Sequence, residues 1–398
     1  MNDGLLKTYD RAPVTFVAGE GCELIDDTGR RYLDCLGGLA VCALGHAHPA
    51  ITQAVAGQAA TLVHTSNLYH HEPAGTLARE LVRRSGLRGA FFCNSGTEAN
   101  EAAIKLARKR AFRRSEPQRT TILACSGSFH GRTLGALSAT ANASYKEGFG
   151  PLPDGFAFTP FNDVAALDVT IDETVAAFIV EPVQGESGVH VADREFLAAA
   201  KTLCDERGSL LIFDEIQCGA GRLGPFFAFE AFGVVPDVVT MAKALANGLP
   251  IGAVLAGERA VDALQPGDHG STFGGSPVPC AAALAHLRER DALHLDELVA
   301  ERSRELFFGL ATLAQQHPAV FGEPRGKGLL AGLPVRAPHK ASDIVDTARD
   351  HGLIIGTAGG NTLRLAPPLV ISKPELQRAL HALEELTRVN RLDRVAPR

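Results

Sequence analysis

Residues 210–243 constrain this chain more than any other stretch. Leu210-Leu211-Ile212-Phe213 is a short apolar run that stops abruptly at Asp214-Glu215-Ile216-Gln217, and a turn rich in glycine follows at Gly219, Gly221 and Gly224. A second β-type run, Val238-Val239-Thr240-Met241, delivers Ala242-Lys243-Ala244. Continuously apolar runs of this length, bounded by turn residues, predict strands buried on both faces of a parallel sheet. Ligands of such sheets bind beyond the carboxyl ends of the strands. An acid at one strand end and a lysine just past another are therefore expected to share a crevice.

The pattern repeats elsewhere. Ala90–Cys93 runs into Asn94-Ser95-Gly96-Thr97-Glu98, Thr121–Ala124 into Ser126–Arg132, and Ala176–Val180 into Glu181-Pro182-Val183-Gln184-Gly185-Glu186. Helical segments at Ala74–Arg84, from Ser95 through Arg114 (apolar stripe Ala99, Ala102, Ala103, Leu106, Ala107) and at Asp193–Glu206 lie among these strands. The alternation predicts an α/β fold, a mostly parallel sheet flanked by helices. Five polar clusters on five successive strand ends point to one composite site.

Length sets the domain count: 398 residues exceed one ordinary core, so two domains are expected. Residues 1–50 read as an arm joining the small domain, with a hairpin of Val14–Val17 and Glu23–Asp26 and a glycine-rich loop, Leu36–Pro49, without helix. Residues 51–287 form the large domain and 288–398 a smaller α+β domain. The latter holds a charged helix over 289–316, a glycine-rich strand region at Gly326–Leu330 and a helix at Ser342–Asp350. A β pair of Leu353-Ile354 with Leu363–Leu365, a last helix at Lys373–Arg388 and a loose tail after Arg391 complete it.

Some function classes drop out. A net charge of −6 without a basic patch argues against nucleic acid, and no run reaches the roughly 18 apolar residues of a membrane span. The start, Met1–Leu6, lacks the blocks of a signal peptide. Eight cysteines carry no CxxC pair, which reads as free thiols in a reduced cytoplasm. His46, His48, His70 and His71 have no third ligand at sensible spacing, so no metal is expected.

The composite site has recognisable chemistry. A carboxylate ending so apolar a strand as Asp214 does needs a cationic partner, and a pyridinium N–H is one. Lys243, among short apolar neighbours and followed by the turn Asn247–Pro250, is a desolvated amine suited to an imine. Together they point to pyridoxal 5′-phosphate. Ser95-Gly96-Thr97 opens a helix, either as a phosphate site or simply as a good cap, with Ser95 and Glu98 spaced as a capping box. Phe129 is core packing or a stacking partner for a flat ring, and Glu215 is structural. Ser271-Thr272-Phe273-Gly274-Gly275 is a second loop suited to phosphate oxygens.

As a set these motifs resemble the class III aminotransferases of pyridoxal-phosphate fold type I. The likeness runs over nearly the whole chain. It includes Gly38–Val41, Leu44–Pro49, Thr65–Tyr69, Asn94–Asn100, Phe129–Arg132, Gly148–Pro153, Glu181–Glu186, Asp214–Gln217, Lys243, Ser271–Gly275 and Arg364–Pro368. The resemblance implies that Lys243 holds the cofactor covalently and shuttles a proton, and that Asp214 keeps the ring nitrogen protonated. Gln217 would meet the ring hydroxyl and Phe129 the ring face. Ser95, Gly96 and Thr97 would cradle the phosphate, completed by Thr272 from the second subunit of a homodimer with shared active sites. Arg132 would bind the carboxylate distant from the reacting amine and Arg364 the α-carboxylate of 2-oxoglutarate or glutamate. Glu186 would pair with Arg364 when the donor lacks that group, and Ser271 would contact substrate.

Within the family the likeness implies a ping-pong transfer of the terminal amino group of N2-acetylornithine to 2-oxoglutarate, a step of arginine biosynthesis. Succinylornithine, ornithine, 4-aminobutyrate and N-succinyl-diaminopimelate remain alternative donors, as does a cofactor-free regulatory role. The tyrosine that ornithine-specific relatives tend to place in the loop Gly37–Ala40 is absent here, which favours the acetylated donor. Cys42, Asn247 and Ser276 depart from the family's usual Asn, Gly and Asn.

Overall fold

The computed structural model describes residues 4–389; the expected loose tail after Arg391 lies outside them. Strands β1 (Phe16–Glu20), β2 (Glu23–Asp26) and β3 (Arg31–Asp34) form an antiparallel meander near the start. Next come β4 (Gly89–Cys93), β5 (Thr121–Cys125), β6 (Phe156–Thr159) and β7 (Val175–Val180). A small ladder of β8 (Val183–Gln184) and β9 (His190–Val191) leads on to β10 (Leu210–Asp214), β11 (Val238–Met241) and β12 (Gly252–Ala256). Seven of these strands form one sheet in the spatial order β4-β12-β11-β10-β7-β5-β6.

All neighbours in that sheet are parallel except β12, which runs antiparallel to both β11 and β4. Residues 242–251 are too few for the helical crossover that a parallel return needs, so β12 returns antiparallel. β4 is thereby restored to the direction of the others. The ends of β4, β5, β7, β10 and β11 consequently open on one edge.

Period-two alternation sends Leu210, Ile212, Ile179 and Val238 to one face and Leu211, Phe213, Phe178 and Val239 to the other. The first face packs on the helix Gly96–Arg113 through Ala99, Ala102, Ala103, Leu106 and Ala107. Small side chains there let the helix approach closely, and every residue of β7, β10, β11 and β12 is buried. Such burial on both faces explains why these runs lack the polar alternation of a one-sided sheet.

The remaining strands are β13 (Arg325–Lys327), β14 (Leu330–Pro334), β15 (Leu353–Ile354), β16 (Gly356–Ala358) and β17 (Thr362–Leu365). The expected pairing of 353–354 with 363–365 does not occur. β15 pairs in parallel with β3, whereas β17 lies antiparallel between β14 and β16. The expected single helix over 289–316 is two helices, Pro277–Ala292 and Leu295–Gln316, broken at His294 in a left-handed conformation (φ 49°). Residue 288, where the charged composition begins, lies inside the first helix. In the loop expected at Leu36–Pro49, four successive residues, Gly37–Ala40, take left-handed dihedrals and close one tight turn.

Candidate active site

Asp214, the last residue of β10, is 4% exposed. One oxygen accepts from Asn100 Nδ2 at 2.7 Å and lies 2.8 Å from His130 Nδ1; the other accepts the Ile216 N–H at 3.0 Å. Asn100 is held in turn by Thr240 Oγ1 at 2.8 Å and by the His130 carbonyl at 2.7 Å. The carboxylate is thus fixed by groups from a helix, a loop and the adjacent β11. Glu215 turns away: its oxygens accept the N–H groups of Ala228 and Phe229 at 2.6 and 2.7 Å, and burial pushes its carboxyl up to about 8.

Lys243 follows β11 in a left-handed conformation (φ 42°), rare for a residue with a side chain and a form of strain concentrated at functional sites. Burial pushes its amine below the ordinary lysine value, and Arg364 adds to this, while Glu186 and Asp214 oppose it. Asn247 ends the short 3₁₀ turn Lys243–Ala246 at φ 47°. Its side chain accepts the Leu44 N–H at 2.7 Å and donates to the Gly45 carbonyl at 3.1 Å. Asparagine tolerates the left-handed region that glycine usually fills, and here it also ties the lysine turn to the loop Leu44–Gly45.

Asp214 and Lys243 line one cavity of about 380 Å³, together with Ser95, Gly96, Thr97, Phe129, Arg132, Glu186 and Gln217. Ser95 caps the helix Gly96–Arg113, its Oγ accepting the Glu98 N–H at 3.3 Å. The expected capping box is shifted by one residue, because Glu98 reaches back to the Asn94 N–H (2.9 Å) in place of that of Ser95. The N–H groups of the first turn have no partner within the helix and can face an anion. A Cβ on Gly96 would lie 2.7 Å from the Ile216 side chain, so this approach requires glycine. Phe129 is anchored by its N–H, which donates to the buried Glu181 at 2.9 Å.

Two arginines flank this arrangement. Arg364 on β17 is 4% exposed and donates to Glu186 Oε1 at 2.5 Å and to the Gly185 carbonyl at 3.2 Å. Gln217 Nε2 donates to the same Glu186 oxygen at 3.0 Å, leaving Gln217 Oε1 buried without a partner. Burial alone would raise the Glu186 carboxyl, but Arg364, Lys243 and these hydrogen bonds hold it below its usual value. Arg132 is exposed and has no carboxylate partner among the described residues; its guanidinium lies 3.7 Å from the Tyr145 ring centroid and 5.7 Å from that of Phe129.

Ser271 and Thr272 do not line this chain's own cavity. Ser271 Oγ accepts from Asn94 Nδ2 at 3.1 Å, and Asn67 Nδ2 donates to the carbonyls of Ser271 and Gly274 at 2.9 and 3.0 Å. Thr272 is exposed. Among the described residues no cluster of His, Cys, Asp and Glu is placed to hold a metal ion, and no helix is long and apolar enough to cross a membrane. Asn100, His130, Glu181 and Tyr145 belong to the site without having been singled out from the sequence.

A family model described as aminotransferase class III matches residues 6–387. An acetylornithine aminotransferase of Methanocaldococcus jannaschii is 45% identical over 381 residues, 96% of this chain and 95% of that protein. Among solved structures, an N-acetylornithine aminotransferase from Stenotrophomonas maltophilia is 36% identical with a TM-score of 0.85, covering 97% of this chain and 98% of its own. An ornithine aminotransferase from Toxoplasma gondii, described with partial occupancy of PLP at its active site, is 33% identical with a TM-score of 0.91, covering 98% of this chain and 94% of its own.

Proposed function

The chain belongs to the class III aminotransferases, and from that premise we propose that it moves the terminal amino group of N2-acetyl-L-ornithine to 2-oxoglutarate. The products are N-acetyl-L-glutamate 5-semialdehyde and L-glutamate, and the cofactor is pyridoxal 5′-phosphate. The residues fit that group on three observations. A desolvated lysine and a pinned aspartate line one cavity, a helix start with glycine at its first position forms part of its wall, and Gln217 lines the same cavity, where it would meet the ring hydroxyl. Pyridoxal phosphate held there supplies a carrier for the amino group and a ring that accepts electron density.

The chain's own residues do the rest. Lys243 Nζ would hold the cofactor and move the proton at the substrate carbon; its burial makes the neutral amine accessible. Asp214, held by Asn100 and His130, would keep a proton on the ring nitrogen. Ser95, Gly96 and Thr97 would take the phosphate, and Phe129 would cover the ring. Thr272 reaches the phosphate of a second copy, which makes the working unit a homodimer. The exposed apolar side chains of Leu68 (86%), Tyr69 (72%) and Phe273 (60%), on loops joined by Asn67, support that face as the contact. Eight free thiols suit a reduced compartment, the cytoplasm.

The Arg364–Glu186 pair carries the substrate assignment. A terminal-amine donor has no carboxylate beside its reacting carbon, so Arg364 keeps Glu186 as its partner. When glutamate or 2-oxoglutarate enters, its α-carboxylate takes the place of Glu186. Arg132 would take the distant carboxylate of either substrate, and Ser271, which lies outside this chain's own cavity next to Thr272, would contact substrate in the site of the second copy. The test is kcat/KM for N2-acetylornithine, N2-succinylornithine, ornithine and 4-aminobutyrate, each with 2-oxoglutarate. N2-acetylornithine should lead the series; a lead for ornithine overturns the assignment of the donor.

A further inference from the structure

Arg132 waits for its carboxylate without a counter-charge, and the structure shows what occupies it meanwhile. Its guanidinium lies 3.7 Å from the centroid of the Tyr145 ring, well inside the distance at which an aromatic face attracts a cation. Tyr145 in turn meets Phe129 edge to face, with centroids 6.1 Å apart and planes at 88°. The tyrosine ends a 3₁₀ turn, Ala143–Tyr145, capped by Asn142, whose side chain accepts the Ser144 N–H at 3.0 Å. That turn is fixed to the loop carrying Phe129, because the Ala141 N–H donates to the Ser128 carbonyl at 3.0 Å. The ring is therefore held in place by the same loop that presents Arg132.

We propose that Tyr145 is the positioning residue that gives this enzyme its selectivity for substrates with a carboxylate remote from the reacting amine. An arginine side chain has several rotatable bonds, and an exposed one samples many directions. Stacking selects the directions that keep the guanidinium over the Tyr145–Phe129 pair at the cavity wall. With the guanidinium held 3.7 Å from the ring centroid and paired to no carboxylate among the described residues, a substrate carboxylate would bind it without displacing the ring. Tyr145 thus acts through Arg132 and need not touch the substrate. The inference rests on the aminotransferase reading above, and the experiment separates the two.

N2-acetyl-L-norvaline has the carbon chain and α-carboxylate of acetylornithine but no terminal amine, so it binds without reacting. Its affinity for the holoenzyme is measured by calorimetry for the wild type, Y145F and Y145M. The Y145M variant keeps apolar bulk and loses the aromatic face, so its Kd should rise about twofold to fivefold. Y145F keeps the face and should restore binding to within about twofold. In an Arg132→Gln background Y145M should cost nothing further, since the group it orients is gone. The half-reaction with n-pentylamine, which has no carboxylate for Arg132 to hold, should lose less in Y145M than the affinity for N2-acetyl-L-norvaline does. Unchanged Kd in Y145M, an equal loss with n-pentylamine, or full additivity with Arg132→Gln each overturns the proposal, the second by showing that Tyr145 merely braces Phe129. A wild-type protein that transaminates none of the amine donors would instead refute the functional reading itself.

Discussion

Arg364 is 4% exposed and rests on Glu186 at 2.5 Å, whereas Arg132 is exposed and rests over the Tyr145 ring at 3.7 Å. Both are proposed to receive a carboxylate, yet their present partners are of opposite kinds, and burial explains the difference. A buried guanidinium without a counter-charge costs several kcal/mol, so Arg364 must be paired at all times. A hydrated guanidinium carries no such penalty; it needs only a preferred direction, for which an exposed cation–π contact of about 0.5–1 kcal/mol is enough. On the proposed reading a substrate would evict Glu186 to reach Arg364 but would evict nothing to reach Arg132. One arginine would then be a switch and the other a constant anchor, which is what a site needs if its two substrates share a remote carboxylate and differ beside the reacting carbon.

The comparison has consequences only if both arginines serve one amine. Lys243→Ala should abolish steady-state transamination, and sustained turnover by that variant would remove the basis of the comparison. Next in size is Arg364→Ala. It deletes the α-carboxylate site and leaves Glu186 without its cation, so the glutamate half-reaction should slow by about 10²–10³-fold. The half-reaction with N2-acetylornithine should slow by less than about tenfold, as the donor makes no demand on Arg364. Equal losses in the two half-reactions, measured in single turnovers, would show that Arg364 is not a switch.

Glu186→Ala sharpens the same contrast in the other direction. With the gate removed, Arg364 is a buried cation with nothing to hold while the acylated donor is bound, but it still meets the α-carboxylate of glutamate. The ratio of the glutamate to the N2-acetylornithine rate should rise about tenfold or more, the equivalent of one to two kcal/mol. An unchanged ratio would mean that Gln217 and the Gly185 carbonyl, which also contact this pair, suffice to hold it.

How far the site can be read from the sequence follows the same division between local and distant interactions. Asp214 and Lys243 are legible because each ends a run too apolar to be anything but a buried strand, and the edge they share follows from parallel topology. Glu186 and Arg364 come from the family likeness, since residues 178 apart carry no mutual spacing signal. Asn100 and His130, which hold Asp214, are invisible for a related reason: the first lies in a helix whose alanine stripe reads as packing, and its partners are distant in the chain. Short β runs such as Leu353–Ile354 announce a strand but not its partner, which is how the pairing with β3 escaped. The break at His294 has neither glycine nor proline to mark it. Tyr145 follows a polar turn, and only its position over Arg132 reveals a use for it.

A third cation completes the contrast and predicts the smallest effect. His46 Nε2 lies 2.8 Å from Asp34 Oδ2, with the histidine side chain 16% and the aspartate 1% exposed. Asp34, and after it the Cys42 side chain, raises the imidazole from 6.5 to about 9 against the opposing effect of burial. No substrate competes for this pair, and its aspartate also accepts the N–H groups of Leu36 and Gly37 at 2.9 and 2.8 Å, at the entry to the left-handed turn. It should therefore contribute to stability and not to the gate. Because the folded value lies above the unfolded one, the contribution is complete below about pH 6.5, declines as the pH rises and is gone above about 9. Its size is on the order of 3 kcal/mol, a shift in thermal midpoint of a few degrees at most for a chain of this length. His46→Gln should melt below the wild type at pH 6 and together with it at pH 10, with the ratio of the two half-reactions unaltered. A melting difference that persists undiminished at pH 10 would show that the imidazole acts by packing. An altered ratio would show instead that the turn it secures is coupled to the switch at Arg364.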